Sequence, residues 1–102
     1  VAGYPVRLRP QVEDEVREAM RWYRNRVPGL EGELYAAFLE GVSAIAEAPE
    51  AYRKVRGEVR RIVLNRFPYL LFYLFEGESD SAEVVVLAFT HERRSPDRWP
   101  TS

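Results

Sequence analysis

The stretch VRRIVLNRFPYLLFYLFEGESDSAEVVVLAFT, Val59 to Thr90, decides the fold. Its apolar residues recur with period two, and turn signals cut it into three runs: Val59 to Leu64, Tyr69 to Glu76 and Glu83 to Thr90. Val, Ile, Leu, Phe and Tyr dominate each run, as strands require. Glu76-Gly77-Glu78-Ser79-Asp80-Ser81 is a polar hairpin loop between the last two. Residues Phe67 to Phe75 are apolar on both strand faces, which predicts a central strand at least partly covered on its second side. Period two also sorts side chains by face. Val59, Arg61 and Val63 share one face, and Arg60, Ile62 and Leu64 the other. By the same alternation Val85, Leu87, Phe89 and His91 share a face, with Arg93 and Arg94 just past the strand end.

Upstream the period changes to that of a helix. Val12, Val16, Ala19, Met20, Tyr23 and Val27 form one stripe, and Leu34, Ala37, Phe38, Gly41, Val42, Ile45 and Ala48 a second. Pro10 precedes the first helix, with Glu13, Asp14 and Glu15 in its opening turn and Arg24 and Arg26 in its last, an order that complements the helix dipole. Pro28-Gly29 breaks the chain and Pro49 stops the second helix. So short a link makes the two helices antiparallel neighbours. Tyr4 to Arg9 alternates like a strand, and Pro5 and Pro10 place it at an edge. The order β-α-α-β-β-β, with room for a small element near Tyr52, predicts an α+β fold. Its expected form is a twisted antiparallel sheet of about four strands with the helical hairpin on one face.

The 102 residues, 46% hydrophobic and 13% aromatic, suit one domain over 1–102 with a modest core. No apolar run approaches the ~20 residues of a membrane span, so no membrane partner is expected. Val1 to Pro10 does not read as a signal peptide. The absence of cysteine removes disulfides and thiol chemistry and fits a cytoplasmic protein. A net charge of −1 conceals segregation: residues 1–50 carry six Arg against nine carboxylates. Over 53–66, in contrast, Arg53, Lys54, Arg56, Arg60, Arg61 and Arg66 face only Glu58. Such a local basic surface binds an anion whatever the total charge. His91, the sole histidine, reads either as a strand-end residue bonded to a neighbouring carbonyl or as a general acid or base near neutral pH. One histidine without cysteine offers no zinc ligand set, and no Gly-rich phosphate loop or serine elbow occurs, so neither metal nor cofactor is expected.

Trp22-Tyr23 in the first helix, Pro28-Gly29 between helices, Arg60-Arg61, and Arg66-Phe67-Pro68-Tyr69 leading into Phe72-Tyr73 form an ordered set with His91, Arg93-Arg94, Pro96 and Trp99. From about Val6 to Trp99 this set resembles the RelE/ParE superfamily, the toxin half of type II toxin–antitoxin modules, also called plasmid-stabilisation proteins. The resemblance implies a cognate antitoxin as partner, within a hetero-oligomer or beside a homodimer, and growth inhibition as the outcome. It also implies one of two activities. RelE-like members are metal-independent endoribonucleases, mRNA interferases that act on mRNA at the ribosome. ParE-like members bind DNA gyrase without nuclease chemistry. On the nuclease reading Arg61 and Arg94 match the family's basic positions and stabilise phosphorane-like charge, while His91 moves the proton. Arg53, Lys54, Arg56, Arg66 and Arg93 would then bind the substrate. Trp99, standing where active members often carry Tyr, and the near-neutral total charge weigh for the gyrase alternative, but the available set Arg61, His91 and Arg94 makes the nuclease the expected activity. An acidic antitoxin segment would meet Arg53 to Arg66.

Overall fold

A computed structural model describes residues 3–93. The elements run β1 (Val6–Leu8), α1 (Pro10–Arg26), α2 (Leu30–Glu47), β2 (Lys54–Arg56), β3 (Val59–Val63), β4 (Tyr69–Glu76) and β5 (Glu83–His91). Pro10 opens α1, where its missing N–H costs nothing. Gly29, in left-handed backbone at φ 99°, turns the chain into α2, and the Glu31 carboxylate accepts its N–H at 2.9 Å. Gly77 carries φ 97° in the β4–β5 hairpin; a Cβ there would lie 2.5 Å from the Ser81 carbonyl oxygen, so only glycine fits.

One sheet contains all five strands in the order β1-β5-β4-β3-β2. The predicted α+β architecture and helical hairpin are present, with two differences. The small element near Tyr52 is a fifth strand, β2, paired antiparallel to β3. The edge strand β1 runs parallel to β5, so the sheet is mixed. No turn joins β1 to β5, and without one no local rule sets their relative direction. That direction comes instead from the helical hairpin, which returns the chain to its start, where the Tyr4 N–H donates to the Ala46 carbonyl at 2.9 Å.

Both helices cover one sheet face. Val12, Val16 and Ala19 of α1 and Leu34, Ala37, Phe38 and Ile45 of α2 pack on Leu71, Tyr73, Val84, Val86 and Phe89. Gly41 lets α2 approach closely, since a Cβ there would meet Leu71 Cδ1 at 3.0 Å. Two residues of the predicted stripes fall away from this core: Val27 and Ala48 are exposed cap residues just beyond the helix ends. The other face carries a smaller cluster, Leu70, Phe72, Val85, Leu87 and Ala88, with Val55, Val59 and Leu74 packed against it. This two-sided burial is what the apolar run in β4 predicts.

β5 corrects the simple alternation. Phe72 pairs with Ala88 but Tyr73 pairs with Val86, leaving Leu87 as the extra residue of a β-bulge. The bulge reverses the parity of all that follows. Val85 and Leu87 lie on the face away from the helices, whereas Phe89 and, by continued alternation, His91 lie on the helix-covered face.

Candidate functional site: a basic and apolar strip on the second sheet face

β3 separates the two adjacent arginines as predicted. Arg60 pairs with Tyr73 and Ile62 with Leu71, which directs Arg60 to the helix face. Its Nη1 donates to the Tyr52 carbonyl at 2.7 Å and the Glu50 carbonyl at 3.3 Å. The head thus bonds the loop after α2 at the rim and not a carboxylate. Tyr73 joins this latch by donating its hydroxyl to the Pro49 carbonyl at 2.7 Å. Burial pushes the Tyr73 phenol up to about 12, against a smaller opposing pull from the Arg60 charge.

Arg61 pairs with Phe72, on the opposite face. It is half-buried beside Val59 and Val63, and Val63 is 53% exposed. Its guanidinium makes no hydrogen bond or ion pair among the described residues. β2 adds Val55 to this face and brings Arg53, Lys54 and Arg56 to the rim, all exposed. Lys54 is held by Glu58 at 3.2 Å, while the Arg53 carbonyl accepts the Arg61 backbone N–H at 3.2 Å. The result is an apolar strip with one unpaired arginine in its middle and cations along one border. Period two had grouped Val59, Arg61 and Val63; that Val63 stays uncovered needed the fold.

The remaining predicted site residues lie elsewhere. Arg66, in left-handed backbone at φ 75°, bonds Glu33 of α2 at 2.6 Å and lies 5.7 Å from the Phe67 ring. His91 sits at the end of β5 opposite Tyr69, its ring edge-on to the Tyr69 ring at 5.1 Å. Its Nδ1 accepts the Arg93 backbone N–H at 3.1 Å, so it is bonded locally but to an amide rather than a carbonyl. From Arg61 the path to His91 crosses two strands and runs three residues along β5, ~14 Å between backbones. The two side chains project from opposite faces. Arg61 and His91 therefore do not form one site. Arg94 lies outside the described residues, as do Pro96 and Trp99.

Beside the His91 end of β5, a cleft of about 440 Å³ is lined by Glu15, Glu18, Ala19, Trp22, Tyr69, Phe89 and Thr90. Glu15 is placed there by the sheet: β1 stops at Leu8, and the Glu15 carboxylate accepts the Phe89 N–H at 2.8 Å where a strand neighbour would otherwise sit. Sequence reading missed this pair, because Glu15 looked only like a dipole-matched first-turn acid. Trp22 rises from the rim, 49% exposed, with the Arg26 guanidinium 4.2 Å from its ring. Among the described residues no group of His, Cys, Asp or Glu could hold a metal ion.

Comparison with known proteins agrees with this geometry. At the level of fold, the chain matches a structure described as a chromosomal ParDE toxin–antitoxin system from P. aeruginosa. The TM-score is 0.75 at 15% identity, over 89% of this chain and 98% of that one. The proteins called toxin ParE2 from two Mycobacterium tuberculosis strains, CDC 1551 / Oshkosh and ATCC 25618 / H37Rv, are each 29% identical over 93 residues, 90% of this chain and 85% of theirs. The family model for the ParE toxin of the type II toxin–antitoxin system parDE matches residues 6–96, from the edge strand β1 to beyond the end of β5. With that match spanning every strand and both helices, the chain belongs to the ParE toxin family of type II toxin–antitoxin systems.

Proposed function

We propose that this toxin arrests growth in the cytoplasm by binding DNA gyrase through the Arg61 strip, and not by cutting mRNA. The separation of Arg61 from His91 carries the reading. Metal-free RNA cleavage needs a base for the 2′-hydroxyl and an acid for the leaving oxygen within hydrogen-bond reach of one phosphate. Here the one histidine is on the far face from the unpaired arginine, bonded to a backbone amide. The cleft beside it presents Glu15 and Glu18, which repel an RNA backbone. An apolar strip with a central arginine suits protein recognition, where Arg is enriched and bulk charge is sparse. Resemblance to the ParE branch, whose members bind gyrase without nuclease chemistry, supports the same choice.

The experiment follows supercoiling by purified gyrase and mRNA integrity in expressing cells. Inhibited supercoiling with intact mRNA is expected, lost in Arg61→Glu and kept in His91→Gln. Ribosome-dependent cuts that disappear in either variant would restore the nuclease reading, with Arg61, His91 and Arg94 as its residues.

A further inference from the structure

We infer that Arg53, Arg56 and Arg61 form a phosphodiester site on the second face of β2 and β3, and that this site grips the DNA held by gyrase. The inference rests on the gyrase reading and adds the nucleic-acid half of that target.

Register brings the three guanidinium groups together. Of the six cations in residues 53–66, three are engaged elsewhere: Lys54 with Glu58, Arg60 with two carbonyls on the helix-covered face, and Arg66 with Glu33. The other three share the second face. Lys54 pairs with Arg60, and one step back the Arg53 carbonyl accepts the Arg61 N–H at 3.2 Å, so Arg53 stands directly opposite Arg61. A hydrogen-bonded pair of this kind has its Cα atoms ~5.5 Å apart and both side chains on one face. The β2 bulge then sets Arg56 opposite Val59, two residues from Arg61 and ~7 Å along the strand.

Like charges directly across a sheet repel, and an anion between them turns that repulsion into binding. None of the three guanidinium groups has a hydrogen bond or ion pair among the described residues. Glu76 and Glu83 share this face by alternation, but Arg7 holds them at 3.9 and 2.9 Å. Glu76 is also four residues along β4 from Phe72, the partner of Arg61, which is ~14 Å away.

The spacing favours a nucleic-acid backbone over a protein. Three protein carboxylates gathered this closely would repel one another in the partner, whereas each strand of a duplex carries a charge every ~3.4 Å of axis. A planar guanidinium also matches phosphate oxygens two at a time. Along β3 the face is graded: the arginines lie toward the β2–β3 turn, and Val63, 53% exposed, lies at the other end. Gyrase protein meets Val63 while its bound DNA meets the arginines, so the toxin engages the enzyme most tightly when DNA is in place.

The test measures toxin binding by fluorescence anisotropy, first to a labelled duplex oligonucleotide at several salt concentrations, then to gyrase with and without that duplex. It compares wild type, the double variant Arg53→Gln/Arg56→Gln, and Arg21→Gln on the exposed side of α1. All the substituted side chains are exposed, so equal melting temperatures check that each variant folds. For three phosphates the slope of log affinity against log salt should be about −2.7, falling to about −0.9 in the double variant and unchanged in Arg21→Gln. Wild-type toxin should bind DNA-loaded gyrase about tenfold more tightly than free gyrase, a gain the double variant loses. Equal slopes for wild type and double variant, or equal affinity for free and DNA-loaded gyrase, would overturn the inference and leave the gyrase reading intact. Failure to bind gyrase in either state would remove both.

Discussion

Arg60 and Arg61 are neighbours in sequence, identical in chemistry, and opposite in fate. On the helix-covered face Arg60 is consumed by structure: two carbonyls after α2 take its guanidinium, beside a buried Tyr73 that takes a third. On the other face Arg61, between Val59 and Val63, has no acceptor among the described residues. One side of the sheet has used its polar groups in folding, and the other leaves one guanidinium unbonded among the described residues. The difference shows why a basic residue count says little about binding until each cation has been traced to its acceptor.

The largest break in this comparison is a cavity on the covered side. Leu71→Ala, at a fully buried position under Gly41, should lower stability by about 3 kcal/mol, whereas Val63→Ala on the second face should change it by less than about 0.5 kcal/mol. Chemical denaturation of both variants checks this, and equal losses would mean the second face is as structural as the first. Next comes the arginine pair itself. Arg60→Ala removes charge-assisted bonds to two carbonyls and should cost about 2 kcal/mol while leaving growth arrest measurable below the lowered melting point. Arg61→Ala should abolish growth arrest with a stability change within about 0.5 kcal/mol. The reverse pattern would invert the face assignment.

Tyr73 sharpens the comparison through pH. Its phenol is pushed from 10.0 to about 12 by burial, so the folded state holds a proton that the unfolded state has released. That contribution is fully present below pH 10.0 and is lost as pH rises toward about 12. Tyr73→Phe should cost about 1 kcal/mol near neutrality, from the lost bond to the Pro49 carbonyl, and should flatten the alkaline fall in stability. An unchanged alkaline slope would mean other groups govern it. The smallest effect is expected at Glu33→Gln. It breaks the 2.6 Å pair with Arg66, but both side chains are at least half exposed, so less than about 0.5 kcal/mol should be lost. A loss above 1 kcal/mol would show that the left-handed Arg66 turn depends on that carboxylate.

Much of this molecule follows from local pattern. The period-two runs in Val59 to Glu76, the two helical stripes and the Pro28-Gly29 break specify the helices, the antiparallel strands and the opposite faces of Arg60 and Arg61. Each of these depends only on residues a few positions apart, whose geometry the backbone period fixes. Three features needed the tertiary structure. The parallel pairing of β1 with β5 joins residues 78 positions apart, such as Val6 and Val84, with no turn to set direction. The Leu87 bulge arises from pairing with β4 and turns His91 away from the face where strict alternation had put it. The acceptors of Arg60, and the lack of any for Arg61 among the described residues, depend on where the loop after α2 comes to rest. A side chain's face is a property of its own strand, but its partners are contributed by distant segments, so sequence determined the fold's elements and only packing decided which arginine found acceptors.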